Sequence, residues 1–171
     1  MLPAVTFQPI GIVRTPWKNP EGMPIQPVGA GQAWGRAELL ENLAPGLKDL
    51  EGFERVILIY ELHDPQGRGE PRLEAVPFLD EVPRGIFATR APCRPNPIGI
   101  SVVELCGVEG HVVHLRGADL LDGTPLLDIK PYIPRFDSFP DSQAGWFEER
   151  QDRATTMRAD GRFRSLSEKA Q

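Results

Sequence analysis

The segment Arg55–His63, RVILIYELH, has no polar face until Glu61. A strand that is apolar on both sides must bury both, and in a short chain that means a barrel or a tight sandwich. Ile98–Cys106 repeats the pattern, with Ile98, Ile100 and Val102 on one face and Val103 and Leu105 on the other. Between such runs the chain turns often. Its 17 glycines and 18 prolines make 35 of 171 residues, against roughly 12% in ordinary usage. Long-helix architectures are therefore disfavoured.

The remaining segments fit the same picture. Val5–Thr15, Arg72–Phe78, His111–Gly117 and Leu126–Tyr132 read as further strands, and Ala33–Glu41 as a strand or a short helix. Pro45–Glu51 reads as a short helix with proline in its first turn. Gln143–Met157 reads as a second, with Ser142 as its N-cap. The residues after it are polar and expected to fray. Long Pro/Gly-rich loops join these elements, the longest over Pro16–Gly31. With no βαβ alternation, no GxGxxG and no P-loop, the expected fold is mainly β: a small antiparallel β-barrel with short helices. The expected division is a barrel domain over 5–140 and a C-terminal helix with a polar tail over 141–171.

Hydrophobic residues at 40% suffice for a core, so disorder throughout is excluded. A net charge of −5 argues against a generally basic nucleic-acid coat protein. No apolar run is long enough to span a membrane. The N-terminal residues lack the basic and apolar regions of a secretory signal, so a cytoplasmic location is expected. Cys93 and Cys106 then read as two thiols rather than a disulfide. His111 and His114 leave opposite faces of their strand, so no metal site is expected.

Chemistry concentrates in two segments. Arg84–Gly99 holds Arg84, Arg90 and Arg94 and no acid, and Pro92, Pro95 and Pro97 stiffen it. A rigid display of guanidinium groups with Asn96 suits a carboxylate or phosphate, although a stiff turn with solvated arginines has the same sequence. The second segment runs from Leu121 to Tyr132. Asp122-Gly123 is an ordinary tight-turn signal and, by itself, reads as a hairpin between two strands. Asp128, Lys130 and Tyr132 share one face of an otherwise apolar strand, either as an exposed pair with its neighbour or as a pocket lining.

The motifs ATRxxxRPNPIGxS at Ala88–Ser101 and DGTPxxDIKPY at Asp122–Tyr132 resemble the TsaA-like, or TrmO-type, family. The likeness extends more weakly through Ile10–Pro16, Gln26-Pro27 and Leu62-His63, over about residues 5–140. It implies a β-barrel methyltransferase that works as a homodimer with S-adenosyl-L-methionine as cofactor. It implies cofactor contacts at Gln26, Pro27, Val28, Leu62, His63, Arg90, Ile100, Asp122, Gly123, Thr124 and Pro125. It implies as substrate the N6 nitrogen of threonylcarbamoyl-adenosine in tRNA, with no metal and no membrane. Within these roles Arg90 suits the cofactor's carboxylate, and the backbone of the Asp122–Pro125 turn its adenine or ribose. Asn96 and Asp128 are the catalytic candidates, and Arg94, Lys130 and Tyr132 the substrate-binding ones. Leu2, Phe136, Phe139, Trp146 and Phe147 are apolar residues available to cover a partner copy. Longer bacterial members carry a DPRPxY-like motif in a second domain, and no such motif occurs here. That absence and the acidic charge keep two alternatives open: a small-molecule acceptor, or a regulator that binds the cofactor without turnover.

Overall fold

The computed structural model describes residues 2–64 and 70–163. Its eight strands are β1 (Gly11–Arg14), β2 (Trp34–Leu39), β3 (Arg55–Glu61), β4 (Glu74–Ala75), β5 (Arg84–Gly85), β6 (Ile98–Glu109), β7 (Val112–Arg116) and β8 (Thr124–Pro131). Six of them close a barrel in the order β1-β2-β7-β6-β3-β8, antiparallel throughout. The β4–β5 pair stands apart as a small ribbon. Two four-residue helices, α1 (Pro27–Ala30) and α2 (Pro134–Asp137), start at prolines, which remove an amide that the first turn would leave unpaired anyway.

The barrel interior is filled by alternate residues of each strand: Val13, Ala37, Val56, Leu58, Val103, Val113, Leu115 and Leu126, all within 1% of full burial. Gly99 pairs with Tyr60 across β6 and β3, and a Cβ there would run into the Tyr60 ring. Gly99→Ala is therefore expected to lower stability by about 1–3 kcal/mol, read as an earlier urea midpoint, because the ring is buried and cannot yield freely.

Burial on both faces of β3 and β6 is not what the single chain shows. The inner row is buried, whereas Ile98 and Ile100 on the outer row are 45% and 52% exposed. Several element expectations also change. The first strand is confined to Gly11–Arg14, and residues 2–9 before it are exposed. Arg72–Phe78 contributes only Glu74–Ala75 as strand. Pro45–Glu51 is divided between two 3-10 turns, Glu41–Leu47 and Leu50–Gly52. Within Ala33–Glu41, Trp34–Leu39 resolves as strand, and Glu41 opens the first 3-10 turn. The C-terminal helix is a 3-10 segment over Gly145–Thr155, capped by Ala144 rather than Ser142.

The hairpin reading of Asp122-Gly123 also fails. β7 pairs with β2 and β6, while β8 pairs with β1 and β3, so the chain crosses the barrel mouth between them. That crossing carries Ala118–Gly123 over one end of the barrel. It is what makes a site possible there.

Residues 158–163, the described part of the tail expected to fray, are engaged, and 164–171 lie outside the described residues. The Gly22 amide donates to the Ala159 carbonyl at 2.9 Å and the Ala159 amide returns to Met23 at 2.9 Å. Trp146 Nε1 donates to the Ala88 carbonyl at 2.8 Å, and Arg162 Nη1 to Pro77 at 2.8 Å. Residues 145–163 thus clasp both long loops onto the barrel.

Candidate functional site

The arginine loop is held by a small core of its own. Ala91 and Cys93 are buried with Ala75 and Ile86, and Phe163 of the clasp packs against them. In an extended, proline-stiffened stretch alternate residues point opposite ways. Burying Ala91 and Cys93 therefore directs Arg90, Pro92 and Arg94 outward, and all three line one cavity of about 210 Å³ at the barrel mouth. The arginines are not idle solvated groups. Arg90 Nη1 donates to Gln26 Oε1 at 2.9 Å, and Arg94 Nη1 to the Thr89 carbonyl at 3.2 Å.

Six of the expected cofactor contacts converge on this cavity: Gln26, Leu62, His63, Arg90, Ile100 and Thr124. Four of them are tied in two pairs. Arg90 is bonded to Gln26, and Thr124 Oγ1 lies 3.1 Å from His63 Nδ1. Thr124 Oγ1 also donates its one hydrogen to the Leu121 carbonyl at 2.7 Å, so His63 must be the donor in its contact. Burial pushes the His63 pKa down, against the pull of Glu61, Asp64 and Asp122, so the ring is neutral at pH 7. Its Nε2 is left as a hydrogen-bond acceptor.

The other expected residues fall elsewhere. Pro27 and Val28 begin α1 beside Gln26 but do not line the cavity, and Val28 is 61% exposed. Asp122, Gly123 and Pro125 flank Thr124 in sequence without lining the cavity. The amides of Asp122, Gly123 and Thr124 donate to Trp17, Val13 and Leu121, so the turn has none of these left to offer a ribose or adenine. Asp122 fastens the turn instead: Oδ1 accepts from the Thr15 amide at 3.1 Å and Oδ2 pairs with Lys18 at 2.8 Å. Burial would raise its pKa, but these partners outweigh burial and hold it below the ordinary carboxylate range.

Of the catalytic and substrate-binding candidates, Arg94 lines the cavity; Asn96, Asp128, Lys130 and Tyr132 do not. Asn96 is exposed at the end of the loop. Asp128 pairs with Lys130 at 2.7 Å, both roughly half exposed, opposite Ile59 and Ile57 on the outer side of β3.

A further charged group outside the two sequence motifs stands in the cavity. Asp119, on the crossing segment, accepts from Ser101 Oγ at 2.6 Å, and Ser101 Oγ lies 3.0 Å from the Tyr60 hydroxyl. Asp119 and Tyr60 both line the cavity. Burial pushes the Asp119 pKa up to about 6, with Ser101 and the Arg90 charge only partly opposing it. The signal available was Ser101, a hydroxyl on the inward face of an apolar strand that needs a buried partner.

A family model described as the tRNA-methyltransferase O N-terminal domain matches residues 12–138. The chain belongs to that family. It is 45% identical over 163 residues to a probable S-adenosyl-L-methionine-binding protein of Pyrococcus abyssi, covering 95% of this chain and 87% of that protein. It is 36% identical over 147 residues to the tRNA (adenine(37)-N6)-methyltransferase of Escherichia coli, covering 82% of this chain and 63% of that protein. The crystal structure of TrmO from Pseudomonas aeruginosa matches with a TM-score of 0.69 and 38% identity, over 84% of this chain and 62% of that one. The chain thus spans most of the archaeal relative and about three fifths of the two bacterial ones. The tRNA-methyltransferase O domain model ends at residue 138, before the clasp that completes the cavity here.

Proposed function

We propose that this chain is an S-adenosylmethionine-dependent tRNA methyltransferase acting on the N6 nitrogen of threonylcarbamoyl-adenosine. The observation that supports it is convergence: residues scattered from Gln26 to Thr124 wall a single cavity around Arg90. The donor set fits the cofactor. Arg90 offers a guanidinium to its carboxylate, His63 Nε2 an acceptor to a ribose hydroxyl, and Leu62 and Ile100 an apolar wall to the adenine. When bound, the cofactor supplies a methyl group already activated on a sulfonium, so the chain's task is alignment.

As the nitrogen–carbon bond forms and the sulfur–carbon bond breaks, the acceptor nitrogen must lose a proton. Asp128 and Asn96 lie away from the cavity, and Asp119 lies within it. Asp119 is therefore our candidate for receiving that proton, held in place by Ser101.

The chain works as a homodimer in this reading. Ile57 and Ile59 of β3 pair with Val102 and Ile100 of β6, leaving an apolar strip on the outside of the barrel that continues into the cavity at Ile98 and Ile100. A second copy would remove this strip from water. Of the residues expected to cover a partner, Leu2, Phe136 and Phe139 are exposed, whereas Trp146 and Phe147 turn onto the arginine loop. Light scattering should give about twice the 19.0 kDa chain mass, and the single-chain mass at micromolar concentration would remove the dimer.

A cytoplasmic location follows from a tRNA substrate. The function is tested by nucleoside mass spectrometry of tRNA from cells lacking the gene. The methylated threonylcarbamoyl-adenosine signal should disappear and return on complementation. An unchanged signal, with cofactor turnover by the purified protein on metabolite extracts, would instead favour a small-molecule acceptor.

A further inference from the structure

A second concavity, of about 630 Å³, lies between the arginine loop and the clasp. It shares Gln26, Arg90, Arg94 and Phe78 with the cofactor cavity, so the two are neighbours across one wall. Five of the chain's 13 aromatic residues line it: Phe78, Phe87, Trp146, Phe147 and Phe163.

Most of these rings have structural work. Trp146 is bonded to Ala88, and Phe78 packs edge-on to Phe163 at 4.8 Å. Phe87 differs. It is 77% exposed, yet it stands on the 3-10 turn Ile86–Ala88, whose Ile86 is 1% exposed. The turn is anchored and the ring is held out on it. An exposed ring on a rigid base gains nothing for the fold, and is what a stacking platform requires.

The charge around it is one-sided. Arg90 and Arg94 form the polar wall, and the segment Arg84–Gly99 contains no acid. Arg94 uses one of its five N–H donors on Thr89, which leaves others for a ligand. A flat ring beside fixed guanidinium groups matches a ligand that is planar and anionic at once. A nucleotide has both properties, while an apolar peptide or a second copy of the chain would leave the arginines unmatched.

We propose that this groove receives the acceptor nucleotide, unstacked from its RNA, with its base on Phe87 and an anionic group of the nucleotide on Arg94. The inference rests on the methyltransferase reading and deepens it. A methyl acceptor must come within about 3–3.5 Å of the donor carbon, which requires two sites that meet. The wall they share, at Gln26 and Arg90, is where that meeting occurs.

The test uses the full chain, Phe87→Ala and Phe87→Trp, with tRNA from cells lacking the gene and with a short single-stranded RNA of anticodon-loop sequence. Base–aromatic stacking is worth about 1–3 kcal/mol, so Phe87→Ala should raise the KM for tRNA about 5- to 150-fold at ~1.4 kcal/mol per decade. Cofactor affinity by calorimetry should stay within about twofold, and Phe87→Trp should restore the KM. An unchanged KM in Phe87→Ala overturns the inference and leaves the methyltransferase standing. If the parent transfers no methyl group to tRNA, the methyltransferase reading falls, and binding of the short RNA decides the groove. Weaker binding in Phe87→Ala supports it; binding equal to the parent's, or tight binding of an acidic peptide instead, overturns it.

Discussion

Asp119→Asn should make the chain more stable at pH 7. The Asp119 carboxyl has a pKa raised to about 6 in the fold, chiefly by burial, against about 3.9 in an unfolded chain. The unfolded chain ionises first, so between these values the native state holds more protons. By linkage, stability then falls as pH rises through that window. At about 1.4 kcal/mol per pH unit the ionised group costs the fold about 3 kcal/mol at pH 7, or about 2 once water in the cavity is allowed for. Asparagine removes the charge and keeps an oxygen for the Ser101 hydroxyl. Urea unfolding should therefore show a gain of about 2 kcal/mol at pH 7 that shrinks below pH 6 and vanishes near pH 4. A constant gain across pH would mean that Asp119 is not the strained group. The same variant should transfer methyl groups poorly if this carboxylate receives the acceptor's proton, and a residue that lowers stability while serving chemistry is common at active sites.

What could be read from the sequence, and what could not, follows from the range of the forces involved. The barrel was legible because long apolar runs, whose inward residues include Val56, Leu58 and Val103, are set between frequent glycines and prolines. The arginine loop was legible because proline fixes backbone angles locally. The lengths of the marginal strands were not. Whether Val5–Phe7 or Arg72–Leu73 pairs with anything depends on partners far along the chain, and propensity says nothing of partners. The outer row of β3 and β6 misled for a related reason: apolar residues record that a surface is to be covered, not that this chain covers it. Asp122-Gly123 makes the same turn in a hairpin as in a crossing, so local signals could not tell β7–β8 pairing from what occurs. The clasp was the least legible part. Its helical pattern was visible, but its docking depends on backbone bonds such as that between Gly22 and Ala159, which side-chain types do not encode.

Arg90→Ala should weaken cofactor binding by one to two orders of magnitude. Arg90 is the guanidinium joined to Gln26, and it stands in the cavity on a loop whose support comes from Ala91, Cys93 and Ile86 rather than from itself. Removing it should leave that small core and the fold intact. A charge-assisted hydrogen bond to the cofactor's carboxylate is worth about 1.5–3 kcal/mol, which is about 10- to 150-fold in affinity. Arg90→Lys should recover only part, because an ammonium cannot make the two-pronged contact and does not reproduce the planar geometry that meets Gln26. A decarboxylated analogue of the cofactor separates this from a general loss of charge. It should bind the parent weakly and should bind Arg90→Ala about as well as it binds the parent. The loss of Arg90 also unmasks Asp119, whose carboxyl is held down in part by the Arg90 charge. The Asp119 pKa should therefore rise in Arg90→Ala, and the stability window between pH 4 and 6 should extend upward. Calorimetry with the two ligands, and unfolding across pH on the same three proteins, read both effects. Equal affinity of Arg90→Ala and the parent for the intact cofactor would place its carboxylate elsewhere in the cavity.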